Sequence, residues 1–177
     1  QLTPFETSIV NYEENRHFFL AGYFRSNYDT WMSRLPTPVT SVTINRVEVW
    51  VTNKSGTTSN TRDIVAFADL GDNNGMTIPR NEGDALYQDL KNYPNARTAD
   101  LVTETLDGQT VGGKTMTGGV SYEKIEKARL LSSSEYSLNT SMGFISLKTA
   151  LQTDQVLAIA YEYTYGGVTY QIGRAHV

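Results

Sequence analysis

Cysteine is absent from all 177 residues. Disulfides, thiol nucleophiles and cysteine-based zinc sites are therefore excluded. Histidine is almost as scarce, with only His17 and His176. No apolar run approaches the ~18 residues that a membrane helix requires. A basic excess is missing too: 15 Lys and Arg stand against 19 Asp and Glu, for a net charge of −4. That balance provides no electrostatic footprint for nucleic acid or anionic lipid. Neither a G-x-S-x-G nucleophile elbow nor an H-E-x-x-H zinc helix occurs, and His17 has no nucleophile in a motif around it. The carboxylate pairs Glu13-Glu14 and Glu123/Glu126 suit solvated faces better than acid–base catalysis.

What is present is aromatic and β-branched. Eleven Tyr and six Phe offer large buried surfaces in a chain that is 39% hydrophobic. The length suits one domain with a real core. Val42–Asn53, VTINRVEVWVTN, is the most strand-like stretch: β-branched, with Trp50 and no Gly or Pro. Its alternation slips once. Val42 and Ile44 point one way, and Val47, Val49 and Val51 the other, so a bulge near Asn45–Arg46 is expected to restore the phase.

Along the chain, a helix is expected over 15–34, with Asn15 as its cap, an aromatic face of Phe19, Tyr23 and Phe24, and a second face of Tyr28, Trp31, Met32 and Leu35. Pro36 and Pro38 end it. This aromatic stripe reads as core, with a sugar-stacking platform as the alternative. Strands follow over 42–53 and 62–70, and the polar loop between them predicts an antiparallel pair. A helix is predicted over 83–92 and a short one within Ala96–Leu106. Asp107–Ser121 is rich in Gly and Thr and is expected to be irregular. Tyr122–Leu131 reads as a helix burying Ile125, Ala128 and Leu131, with Ser121 able to cap it. The last third is β: Tyr136–Asn139, 144–147, 155–165 and 168–171. Gly166-Gly167 is a strong hairpin turn. In the long strand Leu157, Ile159, Tyr161, Tyr163 and Tyr165 share one face, and Val156, Ala158 and Ala160 the other. Its first half is apolar on both faces, which predicts a central place in a sheet.

Two motifs could carry chemistry. Gly108–Thr115, GQTVGGKT, matches the phosphate-loop spacing, with Lys114 as the phosphate ligand. The mechanism requires a strand before the loop and a helix after it, yet Met116-Thr117-Gly118-Gly119 cannot open a helix, so a plain loop is expected. Asp69 and Asp72 border a turn resembling a calcium loop. With Gly75 as the turn glycine, Leu70 falls where the first carboxylate belongs and Asn81 where the bidentate Glu belongs. A surface turn is the simpler expectation.

Three stretches resemble the SprA (Sov) family, the very large outer-membrane translocon of the type IX secretion system of Bacteroidota. They are Asn15–Asp29 (NRHFFLAGYFRSNYD), Ile44–Asp69 (INRVEVWVTNKSGTTSNTRDIVAFAD) and Ala128–Tyr170, within which ARLL, EYSLN, MGFISL and LAIAYEYTYGGVTYQ keep the family's order. Asp72–Ser121 carries little of the likeness, which implies a variable, irregular insertion region over 72–121. The resemblance implies an internal piece of a protein-export channel that also serves gliding motility. Its partners would be the rest of the translocon chain, secreted cargo and outer-membrane subunits. It would lie at the outer membrane or cell surface as an extramembrane domain. The resemblance implies no catalytic residue and no cofactor. Ile172–Val177, IGRAHV, departs from the family and matches one frame of a common sequencing-library adapter. It is expected to be a non-native tail, leaving 1–171 as one domain fragment.

The expectation is therefore an α+β fold, mostly antiparallel sheet backed by two or three helices, acting as a non-enzymatic structural domain. Tyr161, Tyr163, Tyr165 and Tyr170 are its candidate contacts for partner or cargo. The alternative is a secreted carbohydrate-binding module that stacks sugars on Trp31, Trp50 and the tyrosine hairpin.

Overall fold

The computed structural model describes residues 13–37, 39–72 and 75–173. In chain order these form β1 (His17–Phe19), α1 (Gly22–Met32), β2 (Val42–Val51), β3 (Thr61–Phe67), α2 (Ala85–Leu90), α3 (Val102–Leu106), β4 (Thr110–Val111), β5 (Lys114–Thr115), β6 (Tyr122–Leu130), β7 (Tyr136–Asn139), β8 (Phe144–Leu147), β9 (Leu157–Tyr165) and β10 (Val168–Ile172). The fold is α+β. A five-stranded sheet runs β10-β9-β2-β6-β3, a three-stranded sheet β1-β8-β7, and β4-β5 forms a small hairpin. Every ladder is antiparallel.

β2 carries the expected bulge. Ile44 pairs with Tyr163 and Arg46 with Glu162, so Asn45 is the extra residue. It brings Val42, Ile44, Val47, Val49 and Val51 onto one face. That face packs at one end with Phe24, Tyr161, Tyr163 and Ile172, and at the other with Ile145 and Leu147 of β8. The opposite face gathers Trp50, Ile125 and Ala128 with Ile64 and Ala158. The two faces of β9 separate as expected, with Leu157 and Ile159 in one cluster and Val156 and Ala158 in the other.

Four expectations need correction. First, Tyr122–Leu131 is not a helix, because β6 occupies it. Its apolar residues recur every three positions, which mimics a helical stripe, but they belong to three separate clusters. Tyr122 packs under α2 and α3, Ile125 and Ala128 pack against Trp50, and Leu131 packs with Val49. A bulge makes this work. Lys127 has φ 50, and its N–H donates to Asp63 Oδ1 at 2.6 Å. Ile64 then pairs with Ile125 while Arg62 pairs with Ala128. Ser121 caps no helix; its hydroxyl donates to the Thr115 carbonyl.

Second, β2 and β3 do not pair with each other, because β6 lies between them. Third, the helix expected over 15–34 begins only at Gly22. Asn15, with φ 54, is not its cap, and His17–Phe19 extend as β1 against β8. Ala21 provides no side-chain cap; Asp72, fifty positions away, accepts the Gly22 N–H at 2.8 Å through Oδ2. A carboxylate there satisfies an orphan donor and complements the helix dipole. A Cβ on Gly22 would lie 2.9 Å from that oxygen, so the glycine that weakens the helical pattern in sequence makes room for the cap. Asp72→Ala is expected to lower stability by about 1 kcal/mol, measured as the shift in a urea midpoint at unchanged slope.

Fourth, Asp107–Ser121, expected to be irregular, holds the β4–β5 hairpin, and this packs with α2 and α3, which lie within the helices expected over 83–92 and 96–106, in one apolar cluster with Tyr122. Val102, Leu106 and Val111 are fully buried there. Buried Asp84 ties this lobe down: Oδ1 accepts from Leu86 N, capping α2, and Oδ2 accepts from Gly71 N.

Candidate functional site

The phosphate-loop spacing folds as the β4–β5 hairpin, with α3 before it and no helix after it. Lys114 pairs with Asp69 at 3.5 Å. Gly112 has φ +59, and a Cβ there would lie 2.5 Å from the Leu86 backbone. Gly112 lets the hairpin touch α2, while a Cβ on Gly108 or Gly113 would meet nothing within 4 Å. The loop is a hairpin rather than an anion cradle. Gly112→Ala is expected to push the hairpin off α2, at about 1–3 kcal/mol, and faster amide hydrogen exchange in residues 110–115 would report it.

The carboxylates of the suspected calcium turn are engaged by protein donors. Asp72 Oδ1 accepts from Gly75 N at 2.9 Å, in addition to its bond to Gly22 N. Asn73 and Asn74 lie outside the described residues. Among the described residues no group of three or more His, Asp or Glu is placed to hold a metal.

His17 forms one polar constellation that the sequence hides. Its Nδ1 lies 2.8 Å from Ser146 Oγ and its Nε2 lies 2.7 Å from Glu13 Oε2. The β1–β8 register, which pairs His17 with Ser146, creates it. The hydrogen bond to His17 holds the Glu13 carboxyl below its ordinary range. Acid, imidazole and hydroxyl in line can in principle activate a serine. Here the His17 and Glu13 side chains are 49% and 58% exposed. Solvent at that level screens the charges that such a site must stabilise.

The tyrosines divide. Tyr161 and Tyr163 are 4% and 0% exposed, so they are core rather than surface contacts. Tyr163 donates to the Pro79 carbonyl and stacks on Tyr170 at 5.2 Å between ring centroids. Tyr165 and Tyr170 are half-buried. Trp50 is mostly buried with the Arg62 guanidinium over its ring, and half-buried Trp31 meets Tyr23 edge-on. Burial raises the pKa of the Tyr161 and Tyr163 hydroxyls above the ordinary 10.0. The folded state therefore retains protons that the unfolded chain releases. Its stability is intact below pH 10 and falls as pH rises above that value. In an alkaline titration, these two tyrosines are expected to ionise only together with loss of the near-ultraviolet dichroism.

The described residues enclose a cleft of about 1000 Å³. Its walls include the consecutive residues 17–22, 62–67 and 157–161. Side chains alternate across a strand, so an unbroken run of residues along a wall means that strand edges, not faces, meet the cleft. Among the described residues, β1 pairs only with β8 and β3 only with β6. Among them, β10 covers β9 over Tyr161–Tyr165, and Leu157–Ala160 pair on the β2 side alone. The first half of β9 therefore has a partner strand on one side among the described residues, where a central place was expected. It is apolar on both faces because each face meets a different cluster. β2 and β6 pair only at Trp50↔Leu130 and Val51↔Arg129, so the five-stranded sheet is two leaves hinged at Trp50.

Two buried polar atoms of residues lining this cleft, the Tyr161 hydroxyl and Asn81 Oδ1, have no hydrogen-bond partner among the described residues. The acids lining it are engaged: Asp63 by Lys127 N, Asp69 by Lys114, and Asp72 by two backbone amides. Arg25 and Arg97 also line it, are exposed, and form no ion pair among the described residues. Sequence patterning misses this site because it arises from unpaired backbone, which leaves no residue signature. No protein-family model matches the chain, and no curated protein matches it.

Proposed function

We propose that the chain is a non-enzymatic, extramembrane structural domain of a large outer-membrane protein-export channel of the type IX secretion kind, which shapes the channel or contacts cargo and partner subunits. One observation carries the reading. The three stretches that resemble the SprA (Sov) family supply β1, α1, β2, β3, the end of β6 and β7 through β10. Drawn from both ends of the chain, they build the layered sheets and α1, whereas 72–121 supplies most of a further apolar cluster that takes in Tyr122 and packs on Val65, Phe67 and Leu70. A shared core with an insertion packed on its edge suits a family whose members differ in that insertion.

One feature supports an extramembrane place. β2 and β9 bury apolar side chains on both faces against other parts of this chain, unlike barrel strands with an outward row for lipid. No helix among the described residues is long and apolar enough to cross a membrane, which says nothing of crossing by strands. In a gliding Bacteroidota strain carrying the gene, in-frame removal of residues 42–171 is expected to abolish secretion of type IX cargo and gliding. Normal secretion with the shortened protein in the outer membrane would sink the proposal. A glycan panel followed by tryptophan fluorescence is expected to give no saturable shift, since both indoles are packed. A saturable shift would favour the carbohydrate-binding module instead.

A further inference from the structure

We propose that the cleft is a strand-addition groove, which takes an extended acidic peptide with alternating apolar side chains and pairs its backbone with the free edge of β3. β3 offers seven residues, Thr61–Phe67, which among the described residues are hydrogen-bonded on one side only. A strand of that length presents a row of unpaired N–H and C=O groups, a ready template for another strand. Across the cleft lies the margin of β9 at Leu157–Ala160, which is likewise paired on one side. An added strand would bridge the two leaves of the sheet and bury the apolar side chains of Ile64 and Ala158 that line the cleft near Trp50.

The cleft's chemistry selects the occupant. Its carboxylates are already engaged, while Arg25 and Arg97 have no acidic partner among the described residues. An incoming acidic side chain meets cations without displacing a resident acid. A single small anion would use the arginines and leave the strand edges unpaired, so the unbroken backbone walls favour a peptide. The groove's edges carry this inference whether or not the chain belongs to an export channel. Failure of peptide binding leaves the export proposal standing, and failure of the secretion test leaves the groove.

The test uses the whole 177-residue chain and a fluorescently labelled peptide of about seven residues alternating valine and glutamate. Three further probes accompany it: the same peptide N-methylated at alternate backbone nitrogens, its lysine counterpart, and the Arg25→Glu/Arg97→Glu variant. The glutamate peptide is expected to bind saturably. N-methylation is expected to weaken it about tenfold or more, because it removes the ladder donors. The lysine peptide should bind more weakly, and the double charge reversal should weaken the glutamate peptide about tenfold and flatten its salt dependence. Both arginines are exposed, so an unchanged thermal midpoint verifies the variant's fold. Absence of saturable binding overturns the inference. So does equal binding of the N-methylated peptide, which would make the cleft a side-chain pocket for anions, or indifference to the charge reversal.

Discussion

Gly143→Ala is expected to destabilise the domain by about 3 kcal/mol, the sum of left-handed backbone strain and overpacking. Gly143 has φ +69, a conformation that L side chains rarely adopt. An added Cβ would lie 2.4 Å from Cδ1 and Cγ of Phe24, inside any real contact distance. Phe24 has little room to yield: it is fully buried and meets Tyr23, Tyr161 and Tyr163 edge-on. Nor can the turn move freely. Gly143 N donates to the Asn139 carbonyl, its own carbonyl accepts from Leu20 N, and Asn139 Oδ1 accepts from Met142 N. For a domain of this size the midpoint temperature should fall by about 6–12 °C. A fall of less than about 2 °C would show that the turn is not clamped on the ring as described.

Phe24→Ala should be larger still, about 3–5 kcal/mol, because it leaves a cavity where α1 meets the five-stranded sheet. The ring is the main anchor of α1, being the one fully buried side chain of that helix. The two substitutions share a contact, so their effects should not add. Phe24→Ala makes space for the alanine methyl, and the double variant should be more stable than the sum of the singles predicts by about 1–3 kcal/mol. The strain of φ +69 at Gly143 should persist in that background. Chemical unfolding of all four proteins gives the coupling. Strict additivity would mean that the ring and the turn do not press on one another.

The β scaffold was largely legible from the sequence where side chains report their surroundings directly. The bulge at Asn45 followed from a phase slip in β2, and the β9–β10 hairpin from Gly166-Gly167 between alternating runs. Misreadings fell where two environments share one segment. Glu, Lys and Arg in β6 have good helix propensity, and the Lys127 bulge gave its core residues helical spacing. Only the long-range pairing with Asp63 and Ile64 decides for a strand. The N-terminal stretch went the same way, since three residues of β1 exist only because β8 pairs with them. The cap of α1 was hidden for a related reason, as Asp72 comes from a distant turn. Of the candidate tyrosines, two proved to be core, because alternation tells which face a residue lies on and not what covers that face. The cleft was not legible at all. It depends on which strand edges stay unpaired, and that is a property of topology.

The export reading is tested most directly by reading the genomic locus across both ends of this chain. The account predicts a frame that runs on past Gln171 into a very long protein with many alternating strands of about ten residues. It also predicts an apolar residue at position 172 in that frame. The Ile172 side chain is 4% exposed and pairs with Tyr161, and its Cδ1 lies where a Cβ on Gly71 would come within 2.7 Å. A frame that stops at Val177, with a signal peptide shortly upstream of Gln1, would contradict the translocon reading and leave a secreted binding domain in its place.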